Sequence, residues 1–156
     1  MAIRRAERED IPRLLDLLTQ VDMVHHNGRP DLFKGPSTKY TGEELEALLR
    51  DEKRPVFVWT DGKDQAQGYA FCVHQQHVED HVLTDIRTLY IDDLCVDENA
   101  RGQGIGRELY EHVLAYAREK GYYNVTLNVW AFNESALRFY RNCGLRPQKY
   151  GMEAIL

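Results

Sequence analysis

Apolar positions along this chain recur with two different periods, and the switches between them outline the elements. Ile3-Arg4-Arg5-Ala6 reads as a short first strand, after which Ile11, Leu14, Leu15, Leu18 and Val21 fall at helical spacing. Pro12 is compatible only with a first helical turn, which favours Asp10 over Glu7 as N-cap and brings the helix to its end near His25-His26-Asn27-Gly28. Residues 29–40, with Pro30, Gly35 and Pro36, read as loop. Thr41 followed by Glu44 is a capping box that opens a second short helix through Leu49. Val56-Phe57-Val58-Trp59 and residues 68–73 predict two strands joined across Asp61-Gly62, and the polar stretch 75–85 predicts a long turn before a fourth strand over 89–96. Ile105, Leu109, Val113 and Ala117 then repeat every four residues. A fifth strand over 124–129, a helix from Asn133 and a last strand over 148–155 complete the order β-α-α-β-β-β-α-β-α-β. That order predicts one α/β domain over residues 1–156, a mixed, mostly antiparallel sheet with helices on both faces.

Composition leaves this picture standing and narrows the function. A chain of 156 residues is long enough for one proper core. It has no apolar run of membrane-spanning length and no signal-peptide segment at its start, so no membrane partner is expected. Cys72, Cys95 and Cys143 are too few and too scattered for a disulfide framework, which points to a reducing cytoplasm. A formal net charge of −5 argues against a nucleic-acid surface and is compatible with a cationic substrate.

The stretch carrying chemistry lies between the fourth strand and the third helix. It reads Leu94-Cys95-Val96-Asp97-Glu98-Asn99-Ala100-Arg101-Gly102-Gln103-Gly104-Ile105-Gly106-Arg107. A glycine-rich turn opening a helix presents unpaired N–H groups and the positive end of a dipole, with no Cβ to hold a phosphate away. This is the chemistry of an anion site, fitting a pyrophosphate. The wider Gly-x-Gly-x-x-Gly of dinucleotide folds and the Gly-Lys-Ser/Thr of P-loops are both absent.

Arg101-x-x-Gly104-x-Gly106 after a strand ending Leu94-Cys95-Val96 resembles the coenzyme A loop of the GNAT superfamily of N-acetyltransferases. Asn133-Glu134-Ser135-Ala136-Leu137-Arg138-Phe139-Tyr140 running into Cys143-Gly144-Leu145 is similar to that superfamily's Asn-x-x-Ala-x-x-x-Tyr-x-x-x-Gly-Phe signature. Glu98 and Ala100 depart from it, where proline and an aromatic are frequent. The resemblance implies acetyl-CoA as cosubstrate, no metal, and direct transfer of acetyl to the primary amine of a small, cationic acceptor. It implies that Arg101, Gly102, Gln103, Gly104, Ile105, Gly106 and Arg107 hold the pyrophosphate, and that main chain at Leu94, Cys95 and Val96 meets the pantetheine arm where a bulge splays two strands. Asn128, Asn133, Ala136 and Tyr140 belong to the same coenzyme surface. Relatives being often homodimers, a homodimer is admitted. A non-catalytic coenzyme-A-binding sensor and an acetyltransferase acting on protein N-termini or lysines are the alternatives.

Three groups are candidates for the chemistry itself. Tyr140 stands at the place of the general acid for the departing thiolate; the plain alternative is a core tyrosine. Asp92 and Asp93 interrupt an apolar strand, where carboxylates are costly unless paired. Adjacent strand residues face opposite ways, so one of the two is expected at the amine site as base, Asp92 first. Asn128 cannot act as an acid. Cys95 reads better as packing than as a nucleophile, having no nearby histidine, and His74, His77 and His81 read better as exposed loop than as metal ligands.

Overall fold

The computed structural model describes residues 2–156. Five strands form one sheet in sequence order: β1 (Ala2–Arg5), β2 (Val56–Thr60), β3 (Ala66–Gln76), β4 (Arg87–Val96) and β5 (Asn124–Leu127). The first four are antiparallel neighbours, and β4 and β5 run parallel. Helix α1 (Ile11–Gly28) and helix α2 (Gly42–Leu49) lie between β1 and β2 in the chain, α3 (Ile105–Glu119) joins β4 to β5, and α4 (Glu134–Asn142) follows β5. The predicted α/β class, the mixed sheet and the four helices are therefore present.

Alternation along β3 and β4 divides the core into two layers, one on each face of the sheet. Leu14, Leu17 and Leu18 of α1 and Leu45 and Leu48 of α2 pack with Val56, Val58, Tyr69 and Phe71. On the opposite face Ile105, Leu109, Val113 and Ala117 of α3 pack with Phe57, Ala70, Cys72, Leu89 and Ile91. The four-residue apolar repeat is thus the buried stripe of α3. The capping box of α2 is formed as expected, Glu44 N donating to Thr41 Oγ1 at 3.1 Å and Thr41 N to Glu44 Oε1 at 3.1 Å.

Three expectations about these elements need correction. Asp10 stands at the N-cap of α1 but does not cap it with its side chain. Its carboxylate instead accepts from the Arg4 guanidinium at 2.7 and 3.0 Å and from Glu7 N at 2.8 Å, because a buried carboxylate with a cation beside it pairs there first. The last strand, over 148–155, does not form. This tail has the alternation of a strand but makes no ladder, and its large apolar side chains stand in solvent. Strand β3 also runs farther than expected, to Gln76, so part of the polar turn is sheet.

Candidate active site

Strand β4 is the element on which the site is built. Its register against β3 pairs Phe71 with Asp93 and then Cys72 with Ile91, leaving Asp92 as the extra residue of a bulge. A bulge shifts the side-chain alternation by one. Leu89 and Ile91 before it pack on the α3 face, whereas Cys95 after it packs on the α1 face. Asp92 and Asp93 consequently share the α1–α2 side. The expectation that they point apart fails for that reason.

Their surroundings differ. Asp92 accepts from Lys39 Nζ at 2.7 Å and from Tyr40 Oη at 3.2 Å. Tyr40 also accepts from Arg54 at 2.8 Å and stacks on Phe71, with centroids 5.8 Å apart. Asp93 accepts from Tyr69 Oη at 2.7 Å. It lies deep among protein atoms while keeping partial contact with solvent, as at the bottom of a cleft. Burial pushes its carboxyl up to about 6, against the lowering effect of the Tyr69 hydrogen bond and the Lys39 cation. Apolar periodicity does not single out Tyr69; the signal for it is the register across the bulge, which periodicity does not carry.

The opening beside these residues follows from strand length. Strand β5 ends opposite Ile91, so β4 from Asp92 to Val96 continues with no strand on that side. Backbone groups of Leu94, Cys95 and Val96 that would pair with β5 are thereby available to an extended ligand. Asn128, just past the end of β5, donates to Tyr90 Oη at 3.1 Å. Tyr90, Thr126, Leu127 and Asn128 with Gln148 and Lys149 wall a cavity of about 280 Å³.

At the end of β4 the chain makes one 3₁₀ turn (Glu98–Ala100) and enters the glycine loop. Gly102 and Gly104 have φ of 82° and 78°, and a Cβ at either would meet nothing within 4 Å. The left-handed conformation rather than crowding therefore accounts for both glycines. Gly106 is different: inside α3, its missing Cβ would lie 3.2 Å from Phe139 of α4. Its glycine serves helix–helix approach. Exposed Arg101, Gln103 and Arg107 surround the start of α3, whose first N–H groups have no intrahelical acceptor. A turn open to solvent, free N–H groups and two guanidinium side chains fit a pyrophosphate.

The loop is tied to α1 through Asp97, a buried carboxylate that sequence periodicity does not reveal. Arg13 and Gln20 of α1 donate to Asp97 Oδ2, and Asn99 N donates to Oδ1 at 2.7 Å. Against the upward pull of burial, these donors hold Asp97 below the ordinary carboxylate range. Its available sequence signal is the Asp97-x-Asn99 turn directly after a strand.

Helix α4 brings Tyr140 toward Asp93 and Cys95. Burial first, and then the nearby Asp93 charge, hold its phenol above the ordinary tyrosine range. Asn133 caps α4, accepting from Ala136 N at 3.1 Å. Cys95 is buried in the α1 layer, and burial pushes its thiol up to about 12, which keeps it protonated and inert. His74 shares a hydrogen bond of 2.9 Å with Tyr122 Oη, while His77 and His81 are exposed. Among the described residues no group of three His, Cys, Asp or Glu side chains is placed to hold a metal, and no helix is long and apolar enough to cross a membrane.

A second cluster is aromatic. His25 lies 4.9 Å from the Phe33 ring, and Phe33 meets Trp130 edge-on at 5.2 Å. It joins the end of α1, the 29–40 loop and the turn after β5 into one aromatic wall.

The family pattern described as the Acetyltransferase (GNAT) family matches residues 11–145, which include the β4 opening, the glycine loop and Tyr140. Among curated proteins, the peptidyl-lysine N-acetyltransferase YjaB of Escherichia coli (strain K12) is 30% identical over 149 residues, 94% of this chain and 82% of that protein. Among solved structures, a tetramutant of the BH1408 protein from Bacillus halodurans superposes with a TM-score of 0.94 at 35% identity, over 100% of both chains. The aminoglycoside acetyltransferase meta-AAC0020 from an uncultured soil metagenomic sample shares the fold, with a TM-score of 0.75 at 24% identity over 99% of this chain and 95% of that one. The chain is an acetyltransferase and belongs to the GNAT family.

Proposed function

We propose that this enzyme transfers acetyl from acetyl-CoA directly to the primary amine of a small cationic acceptor, with Asp93 as base and Tyr140 as acid. The observation that carries this reading is the opening left where β5 stops opposite Ile91, with Asp93 at its floor and Tyr140 beside it.

The first N–H groups of α3, with Arg101 and Arg107, hold the pyrophosphate, and the free edge of β4 at Leu94 to Val96 pairs with the pantetheine arm. Main-chain donors there stabilise the carbonyl oxygen as it gains charge. The acceptor arrives as an ammonium, and Asp93 takes its proton. A carboxyl held up to about 6 is largely ionised at neutral pH, yet basic enough to accept that proton. The nitrogen lone pair forms the new N–C bond as the C–S bond breaks. Tyr140, kept protonated by burial, gives its proton to the departing thiolate, and its phenolate takes back the second proton that the acylated nitrogen sheds, leaving a neutral amide and a neutral phenol. The sequence alone favours Asp92 as base. We assign the role to Asp93, since Asp92 is already paired with Lys39.

For the acceptor, two carboxylates under an aromatic wall suit a cation. The 30% identity to a peptidyl-lysine N-acetyltransferase supports a second reading, in which a lysine side chain of a protein is the acceptor. Thiol release from acetyl-CoA with polyamines, an aminoglycoside, free amino acids and a lysine peptide tests both. Release with small polycations and none with the peptide supports the first reading. The reverse pattern replaces it with the second, and no release with any amine refutes transfer to amines.

A further inference from the structure

Strand β3 contributes Tyr69 and Phe71 to the α1 layer, the side of the sheet on which the bulge of β4 places its two carboxylates. Phe71 is opposite Asp93 and Tyr69 is opposite Cys95. Asp93 and Cys95, two apart on one strand, share a face, so Tyr69 is the diagonal neighbour of Asp93. Diagonal neighbours on an antiparallel pair lie about 7–8 Å apart, within reach of a tyrosine side chain. That reach is used, for Tyr69 Oη donates to Asp93 Oδ2 at 2.7 Å.

Tyr69 is held as firmly as any core residue. It is fully buried, and its ring meets Phe71 edge-on with centroids 4.8 Å apart. Tyr40, which stacks on the same Phe71, donates to Asp92. Each carboxylate of the bulge thus has its own tyrosine, but only Asp92 also has a cation in contact. Among the described residues Asp93 forms no ion pair, and the Tyr69 hydroxyl is the strongest influence favouring its ionised form. Burial and the Asp93 charge hold the Tyr69 phenol well above the ordinary tyrosine range, so it remains a donor at every working pH. The other titratable groups around Asp93 are Lys39 from the 29–40 loop, Asp92 and Cys95 on its own strand, and Tyr140 from α4. Lys39 acts in the same direction as Tyr69 and Asp92 against it. Lys39, however, is a half-exposed side chain committed to Asp92, whereas the Tyr69 ring is fixed by packing.

We infer that Tyr69 is the positioning residue of the base: its hydroxyl holds one carboxylate oxygen of Asp93 and leaves the other, Oδ1, to take the acceptor's proton. A carboxylate at the floor of a cleft can otherwise turn about its last bond and present either oxygen in any plane. One oxygen anchored from below removes that freedom before the acceptor arrives. The inference rests on the reading of Asp93 as base, and Tyr69 itself touches neither substrate.

The test is kcat/KM against pH for an alkylamine that stays protonated, read by thiol release from acetyl-CoA. Tyr69→Phe keeps the ring and its packing. Its acidic limb should move up from about pH 6 by about 1 unit, and its plateau should fall roughly tenfold, with acetyl-CoA affinity by calorimetry unchanged. In an Asp93→Asn background the same change should cost nothing further, because a residue that acts only through Asp93 has nothing left to act on. A limb that stays in place in folded Tyr69→Phe overturns the inference, as does a further tenfold loss in the Asp93→Asn background. Should Tyr69→Phe not fold, 3-fluorotyrosine in place of Tyr69 decides, being nearly the same size and a stronger donor. Its limb should move below that of the parent, and a limb unmoved or raised overturns the inference. A parent that has no limb near pH 6, with Asp93→Asn fully active, removes the base assignment and this inference with it. A parent limb that neither change at Tyr69 moves removes the inference alone.

Discussion

Replacing Asp93 by Asn separates the two consequences of a carboxylate placed under a sheet opening. Burial raises Asp93 from an ordinary 3.8 to about 6, a difference of about 2 units, or about 3 kcal/mol at 1.36 kcal/mol per unit. The folded pKa lies above the unfolded one. Between about pH 4 and 6 the native state therefore binds more protons than the unfolded state, and stability falls as pH rises through that window. Below it the group is protonated in both states and costs nothing; above it the full cost is present. The substituted amide has no such titration, so the stability of Asp93→Asn relative to the parent should rise by about 3 kcal/mol from pH 4 to pH 7 and level off. Activity should move the other way. For an alkylamine that stays protonated, kcat/KM of the parent should fall with unit slope below about pH 6, and the variant should lose roughly 10²- to 10⁴-fold at pH 7. Urea unfolding across pH and thiol release from acetyl-CoA read the two effects. A parent profile flat from pH 5 to 8 together with a fully active variant would refute the base assignment. A variant whose relative stability does not change with pH would refute the burial cost.

Three further outcomes follow from the same geometry. Gly104→Asp puts a carboxylate into open space at the pyrophosphate position, in a left-handed conformation costing about 1 kcal/mol; calorimetry should show acetyl-CoA affinity lost in a folded protein. Tyr140→Phe keeps the ring and removes the acid, so kcat should drop roughly 10²-fold with coenzyme affinity nearly unchanged, and full turnover would return Tyr140 to a packing role. Lys39→Met releases Asp92 from a cation whose side chain is 50% exposed, a pairing worth up to about 1 kcal/mol. Diamines should gain roughly fivefold in kcat/KM over monoamines, and an unchanged ratio would show that Asp92 does not face the acceptor.

Much of this was legible in the sequence because it is local. The Thr41–Glu44 capping box, the four-residue stripe of α3 and the glycine turn each depend on neighbours within a few positions, and all three appear where expected. What was not legible depends on pairing between distant segments. The bulge at Asp92 is set by register against β3, and it decides that both aspartates share one face. Lys39 reaches Asp92 across 53 positions and Arg13 reaches Asp97 across 84, contacts with no periodic signature. Gly106 looks like its two neighbours in the loop, although it answers to Phe139 on another helix. The tail failed differently: its alternation is a genuine strand pattern, but a pattern names no partner, and the chain alone supplies no ladder for it.

Helix α1 has a role beyond its share of the core. At 1.5 Å per residue its 18 residues span about 27 Å. From its first turn and its middle, Arg13 and Gln20 hold Asp97 at the root of the glycine loop. From its last turns, Asp22 accepts from Ser37 N at 2.9 Å and His26 meets Phe33 O at 2.7 Å, suspending the loop that delivers Lys39 and Tyr40 to Asp92. One rod thus sets the distance between the two substrates' anchor points, much as a gauge block sets the jaws of a clamp. An inserted residue in its middle would turn one end by about 100° relative to the other. Donor and acceptor would then be misregistered while every residue that touches either stayed in place.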